Sequence, residues 1–244
     1  VHARPVHLGP VEAPGLNRYF RPYLSTSAEA RFETTPGCLD LFTVFDERRA
    51  EFHPSDLVAN REKAVEMLRA LDFDSYLLPT RIPGLQIMTA GRMDTGYARR
   101  VSEFQWDRLF KQTIGLFSGF ADYLRQNYDF VLVDSRTGVS DTSGICTMLL
   151  PDKLVVVFTP NQQSLTGIGD LARKAVAYRQ ASPDARPLTV FPLPSRLEMA
   201  RPALLEAWRM GKTNSEALAL PRDLIGYQPL FERLFDEIYL RKDT

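Results

Sequence analysis

The residues best suited to do chemistry are Asp134-Ser135-Arg136-Thr137-Gly138, which directly follow the apolar run Phe130-Val131-Leu132-Val133. A continuous β-branched run of this kind predicts a strand buried on both faces of a parallel sheet. Ligands of such sheets bind at the carboxyl ends of the strands. There a carboxylate can hold Mg²⁺ beside nucleotide phosphates, and a glycine lets a backbone N–H approach a phosphate closely. An aspartate that only caps a turn would fit the same residues, so both interpretations stay open here.

The elements that would position this segment alternate between strand and helix. Further apolar runs at 154–158 and 188–191 predict strands, also covered on both faces, and residues 85–88 predict a short one. In the helix at 56–71, Asp56 or Ser55 would be the N-cap, and Val58, Val65, Leu68 and Leu71 the apolar face. The remaining predicted helices are 39–51, 117–126, 165–179, 201–215 and 228–241. Such alternation predicts a three-layer α/β/α fold with a mostly parallel sheet.

The composition excludes several classes of function. Thirty basic and thirty acidic residues cancel, so no overall charge favours nucleic acid or an acidic membrane. Two cysteines and three scattered histidines predict neither a disulfide framework nor a metal cluster, and Cys146 fits a small core residue better than a nucleophile. No apolar run approaches the roughly 20 residues of a membrane span. We expect a cytoplasmic protein.

The order of the motifs resembles the ParA/MinD-like branch of the P-loop ATPases, in particular a bacterial group. The similarity extends from Glu12 to about Arg201 and is densest from Tyr128 to Gly167. The matching segments are Glu12-Ala13-Pro14-Gly15-Leu16, Thr89-Ala90-Gly91-Arg92, Tyr97-Ala98-Arg99-Arg100, Asp134–Gly138, Thr159–Ser164 and Phe191–Arg196. Each segment alone is a weak signal, but their order along the chain is specific.

The resemblance implies ATP and Mg²⁺ as cofactors and assigns roles to residues. Asp134 would be the metal ligand, and Ser135, Arg136, Thr137 and Gly138 would form the switch element beside the phosphates. Asn161 would lie near the nucleotide, and Pro194, Ser195 and Arg196 would lie on the base side, with Ser195 standing where most relatives have asparagine. The family also implies protein partners or a homodimer.

Two departures from the family pattern bear on activity. Only eleven residues precede Glu12, and none of them forms the glycine-rich, lysine-containing phosphate-binding loop. The stretch His7–Val11, where relatives carry carboxylates on an internal strand, has none and contains Pro10. We therefore predict a segment, 1–11, that does not match the family, followed by one incomplete nucleotide-binding domain, 12–244. The P-loop NTPase-like fold would lack its first strand and phosphate-binding loop.

No catalytic residue can be assigned, and we predict no appreciable hydrolysis by this chain alone. Loss of the first strand should leave the backbone of Phe130–Val133 unpaired or paired with something else. Gly211-Lys212-Thr213 resembles the end of a phosphate loop, but the required preceding glycine and strand are missing.

Three origins fit the missing loop: a fragment of a longer ATPase, a late translational start, and a true pseudo-ATPase. We expect the second, because the similarity stops abruptly between Pro10 and Glu12. Two other functions stay open. One is a catalytically dead module for protein interaction, and the other is an unrelated doubly wound enzyme with a site at Asp134 and Asp141.

Overall fold

A four-stranded sheet organises the first part of the chain in the computed structural model, which describes residues 5–8, 15–135, 144–182, 186–211 and 224–236. Its strands are β1 (Pro5–Leu8), β2 (Leu77–Pro79), β3 (Gln86–Met88) and β4 (Phe130–Val133), in the order β2-β3-β1-β4. β1 is parallel to both of its neighbours, and only β2 runs antiparallel, against β3. The predicted α/β class with a mostly parallel sheet is confirmed. Residues 5–8 lie inside this sheet, between β3 and β4.

Two compact units divide the chain, Val1–Pro151 and Asp152–Thr244. The helices of the first unit are α1 (Gly15–Phe20), α2 (Thr26–Arg31), α3 (Cys38–Glu47), α4 (Leu57–Ala70), α5 (Tyr97–Glu103), α6 (Trp106–Gln112) and α7 (Leu116–Asn127). Short 3₁₀ turns at Arg21–Tyr23, Arg49–Glu51 and Phe73–Tyr76 and a π-helical turn at Ile145–Leu149 complete it.

Different helices cover the two faces of the four-stranded sheet. On one face, here called the α7 face, Val6 and Leu8 of β1 join a core that α3, α4 and α7 supply, and Val131 and Val133 pack against it. On the opposite face, called the α2 face, Leu78 and Ile87 pack with Leu24, Ala28 and Phe32. Side chains alternate between the faces along each strand, which is why consecutive residues of β1 and β3 enter different cores.

The helices α4 and α7 meet at very short range. A Cβ atom at Gly119 would stand 2.4 Å from the carbonyl oxygen of Arg61 and 2.8 Å from the Cβ of Ala64. The Arg61 guanidinium also forms an ion pair with Asp122 across this interface. Glycine is therefore the residue that lets the two helices pack at this distance, because any Cβ atom would meet the backbone of α4.

The predicted apolar face of α4 is only partly correct. Asp56 is the N-cap, since its carboxylate accepts a hydrogen bond from Ala59 N at 2.9 Å. Val58, however, is 63% exposed, whereas Asn60 is buried. The Asn60 amide donates to the carbonyls of His53 and Ile114 at 2.6 and 2.9 Å and accepts from His53 N at 2.7 Å. A polar side chain whose hydrogen bonds are all made inside the protein can replace an apolar one in the interior.

The second unit contains a two-stranded parallel sheet of β5 (Lys153–Phe158) and β6 (Thr189–Pro194). Its helices are α8 (Gln162–Ala181), α9 (Pro202–Met210) and α10 (Tyr227–Phe235). The helix predicted over 201–215 is too long, because Gly211 ends α9 with a left-handed backbone of φ 75°. The described part of the helix predicted over 228–241 is α10.

The prediction from the sequence that β4, β5 and β6 are buried on both faces is wrong. In β4 the side chains of Phe130 and Leu132 are 62% and 56% exposed. Along β5 buried and exposed residues alternate, and its exposed residues Val155 and Val157 pair with Phe191 and Leu193 of β6, which are exposed too. Within the described structure, β4 and β5 thus each have one covered face and one open apolar face.

Candidate functional site

Asp134 lies at the carboxyl end of β4, at the edge of the sheet where β1 and β3 also end. Its backbone N–H donates to the carbonyl of Leu8 at 3.1 Å, so the β1–β4 ladder continues up to the aspartate. The register pairs Leu8 with Val133 on one side and with Met88 on the other. The side chain is half-buried. This is the position at which a parallel α/β sheet presents a carboxylate to a ligand.

His7 is a neighbour of this carboxylate that the sequence did not single out. It lies on β1 opposite Leu132, is almost fully buried, and packs its ring against Phe20 with centroids 5.1 Å apart. Its Nδ1 has no hydrogen-bond partner in the described structure. Burial lowers the pKa of His7, and the negative charge of Asp134 opposes that shift. His7 is therefore held largely neutral beside the candidate site.

A largely buried carboxylate, that of Asp40, joins two loops at this edge. Asp40 accepts hydrogen bonds from the backbone N–H groups of Gly37 and Arg92, both at 2.9 Å, and its other oxygen lies 3.4 Å from Arg92 Nε. Cys38 N and Leu39 N donate to the carbonyls of Thr89 and Ala90 at 2.8 and 2.9 Å. The loop after β3 is thereby joined to the start of α3. The Gly-x-x-Asp spacing at 37–40 is the sequence signal that could have revealed it.

The remaining residues predicted around the phosphates are only partly visible. Ser135 follows Asp134 and is half-buried. Arg136, Thr137 and Gly138 lie outside the described residues, as does most of the Glu12–Leu16 motif. Their assignment as a switch element stays a prediction.

Asn161 follows the carboxyl end of β5 and caps α8. Its Oδ1 accepts from Ser164 N at 2.8 Å, and its Nδ2 donates to Thr159 Oγ1 at 2.7 Å. Both ends of the amide are thus engaged locally, which is the ordinary role of an N-cap asparagine. The predicted nucleotide contact is not tested by this geometry, but any such contact would have to share or replace these bonds.

Pro194, Ser195 and Arg196 lie at the carboxyl end of β6, the edge at which β5 ends. Pro194 is paired with Phe158, and Ser195 donates to the carbonyl of Phe158 from its N–H at 2.7 Å and its hydroxyl at 3.1 Å. Arg196 has a left-handed backbone with φ 53°, which is uncommon outside glycine and concentrates at functional sites. The second unit therefore brings these three residues and Asn161 to one edge of its sheet.

Cys38, at the start of α3, has the properties of an unreactive thiol. Burial raises the pKa of the Cys38 thiol far above its usual value, and Cys146 and Asp40 add to the shift. A thiol that stays protonated is a poor nucleophile and a poor metal ligand. Cys146, in the π-helical turn, is half-buried.

Within the described ranges, no group of three or more histidine, cysteine or acidic side chains is arranged to bind a metal. Asp134 is a single carboxylate, and a single carboxylate can share Mg²⁺ with water and ligand phosphates. Among the same residues, no helix has the length and apolarity needed to cross a membrane.

Comparison with known proteins gives similarity to partition and cell-division proteins at low identity. A partition protein matches 98% of this chain over 61% of its own length, with 16% identity and a TM-score of 0.45. A plasmid partition protein from Borrelia burgdorferi matches 98% of this chain and 100% of its own, with 12% identity and a TM-score of 0.41. The Pyrococcus furiosus cell division ATPase MinD matches 95% and 99%, with 13% identity and a TM-score of 0.35.

The chain thus spans less than two thirds of the first of these proteins. No protein-family model matches the sequence, and no curated protein is similar enough to be matched.

Proposed function

We propose that this chain is an incomplete ParA/MinD-like nucleotide-binding domain that has little or no hydrolytic activity alone. The observation that carries the proposal is the position of Asp134, a carboxylate at the carboxyl end of a parallel strand whose neighbours end at the same edge. The order of the family-like motifs along the chain adds support. ATP with Mg²⁺ is the ligand that this combination favours.

Asp134 would hold the metal ion through water, and Ser135, Arg136, Thr137 and Gly138 would face the phosphates. Asn161 would lie near the nucleotide, and Pro194, Ser195 and Arg196 would lie on the base side. The bound Mg²⁺ would neutralise phosphate charge. No phosphate-binding loop is present among the described residues at the edge formed by β1, β3 and β4, where His7 and Leu8 occupy β1. The other carboxylate at that edge, Asp40, is already bonded to Gly37 and Arg92. Because phosphoryl transfer depends on positioning and charge stabilisation, binding without turnover is the expected behaviour.

Titration with a fluorescent ATP analogue in the presence of Mg²⁺ tests this function. We expect weak saturable binding that Asp134→Ala abolishes. Asp129→Ala is the matched control, because Asp129 is exposed and lies at the amino end of the same strand. Equal loss in both variants, or no binding at millimolar nucleotide by the parent chain, contradicts the proposal.

A second function rests on a different observation, the open apolar faces of β4 and of the β5–β6 sheet. Large exposed apolar patches mark protein interaction sites. A catalytically dead interaction module, acting through protein partners or a homodimer, would show no nucleotide binding. The same titration, combined with sedimentation of the purified chain, separates the two functions.

A further inference from the structure

A cavity of about 530 Å³ lies at the edge of the four-stranded sheet opposite to Asp134. Pro79, which ends β2, and Gln86, which begins β3, both line it. Because β3 runs parallel to β1 and β1 to β4, Gln86 lies at the amino edge of these strands, whereas Asp134 follows the carboxyl end of β4. The volume is within the range of about 300–1,000 Å³ that is usual for small-molecule sites. The cavity is therefore large enough for a ligand and separate from the candidate site described above.

One wall of the cavity is the loop that joins β2 to β3, and hydrogen bonds hold it in shape. Thr80 donates to the carbonyl of Leu85 from its N–H at 3.2 Å and from its hydroxyl at 2.9 Å. Arg81 is the only basic residue of this loop. Its N–H donates to the carbonyl of Tyr23 at 2.7 Å, and its Nε donates to that of Leu24 at 2.9 Å. The guanidinium is thus held by the turn after α1, and Arg81 does not line the cavity.

The opposite wall is aromatic. Tyr123 at the end of α7 and Tyr128 just after it are half-buried, and both line the cavity. The buried ring of Phe73 supports them from the core, with its centroid 5.1 Å from that of Tyr123 and 6.4 Å from that of Tyr128. The face of a tyrosine ring attracts a cation and also provides apolar surface for a hydrocarbon chain.

The charged residues that line the cavity are Asp72 and Asp74. Both side chains are exposed, and neither carboxylate has a hydrogen-bond or ion-pair partner among the described residues. Burial raises the pKa of Tyr123, and the negative charge of Asp74 adds to this shift while Arg69 opposes it. Arg69 lies outside the lining and donates to Gln126 Oε1 at 2.9 Å. In the described part of the chain, no lysine, arginine or histidine lines the cavity.

This lining favours an organic cation over a metal ion or an anion. A hard metal ion needs six or more oxygen ligands, and no three acidic, histidine or cysteine side chains converge within the described ranges. An anion would be repelled by both aspartates. A ligand with two ammonium groups joined by methylenes matches both features, because ammonium groups bond to carboxylates and methylenes pack on aromatic rings.

We propose that this cavity binds an aliphatic polyamine, with its ammonium groups at Asp72 and Asp74 and its methylene chain against Tyr123 and Tyr128. Asn127 supplies a further acceptor, since its Nδ2 donates to the Tyr123 carbonyl at 2.7 Å and its Oδ1 is left to accept. The proposal goes beyond nucleotide binding and does not depend on it, because the cavity and Asp134 lie at opposite edges of the sheet.

Calorimetric titration of the whole chain with putrescine tests the proposal, at low ionic strength and without nucleotide. Butylamine is the matched ligand, because it has the same four carbons and only one ammonium group. We expect putrescine to bind about 10-fold more tightly, since it alone forms a charge-assisted bond to each aspartate.

Substitution of the lining separates the carboxylates from the rings. Asp74→Asn should weaken putrescine binding about 10-fold. Glu62→Gln, at an exposed carboxylate of α4 outside the cavity, is the control and should leave binding unchanged. Tyr123→Leu should weaken binding about 3-fold, whereas Tyr123→Phe keeps the aromatic face and should bind as the parent does.

Three results would overturn the proposal: no binding of putrescine at millimolar concentration, equal binding of putrescine and butylamine, or equal effects of Asp74→Asn and Glu62→Gln. Tighter binding of a short peptide with one arginine would identify a protein side chain as the occupant instead. Titration of Asp74→Asn with the fluorescent ATP analogue should match that of the parent, so failure at this cavity and failure of the proposed function are distinguishable.

Discussion

Replacing Gly119 with alanine should destabilise the first unit, although alanine is the better helix former. In a helix interior the exchange by itself favours folding by about 1 kcal/mol. The added methyl, however, would stand 2.4 Å from the Arg61 carbonyl oxygen, far inside van der Waals contact. The obstructing atom belongs to the backbone of α4, so no side-chain rotation relieves it. Overpacking of this kind costs about 1–3 kcal/mol and occasionally more.

Because the contact is with backbone and far inside van der Waals distance, we take the upper end of that range, about 3 kcal/mol. Less the gain of about 1 kcal/mol in helix propensity, the net loss is about 2 kcal/mol, which lowers the melting temperature of a unit of this size by about 4–8 °C. Thermal unfolding followed by far-ultraviolet circular dichroism measures it. Gly144→Ala is the control within the same unit, since a Cβ there meets nothing within 4 Å. Its melting temperature should stay close to that of the parent.

The reasoning fails if Gly119→Ala is as stable as Gly144→Ala or more stable than the parent. Such a result would mean that α4 and α7 separate at little cost. It would also mean that the contact between α4 and α7 is not a rigid support for the segment that leads into β4 and Asp134.

Three further predictions concern the side chains of His7, Asn60 and Cys38. His7 resists protonation in the folded state because burial lowers its pKa. The free energy of unfolding should therefore be retained above the ordinary histidine pKa of 6.5 and should fall as the pH drops below that value. His7→Leu should lessen the loss of unfolding free energy measured between about pH 7.5 and pH 5.5. Asn60→Ala should lower the free energy of unfolding, measured with denaturant, by about 3 kcal/mol, because backbone groups of His53 and Ile114 lose their hydrogen-bond partners. In the control Asn127→Ala, at an exposed position, the loss should be under about 1 kcal/mol. In alkylation followed by peptide mass spectrometry at mildly alkaline pH, Cys38 should remain unlabelled until the chain is unfolded.

Local patterns in the sequence were sufficient to predict most of the elements of this fold. The apolar runs at 130–133 and 154–158 form β4 and β5, and Asp56 caps α4 as its position suggested. These features depend on neighbouring residues only, so they can be read from a short window. Asp134 could be placed at a strand end for the same reason.

What the sequence could not show depends on contacts between distant segments. Val58 fits a helical apolar stripe, yet it faces solvent, and Asn60 is buried because its partners include Ile114 far along the chain. Phe130 and Leu132 have the composition of a fully covered strand, and only the strand order shows that β4 is an edge. His7 becomes a neighbour of Asp134 through pairing across the sheet, which no local spacing encodes.

The Asp40 bridge has a practical consequence for detecting a ligand. It joins the loop after β3 to the start of α3 through hydrogen bonds within the chain. A ligand that arrives at this edge therefore meets a junction between β3 and α3 that is already in place and needs little ordering. The fluorescence of the buried Trp106, which packs against Phe42 of α3, should then stay almost unchanged on binding, so calorimetry or a labelled nucleotide is needed to detect it.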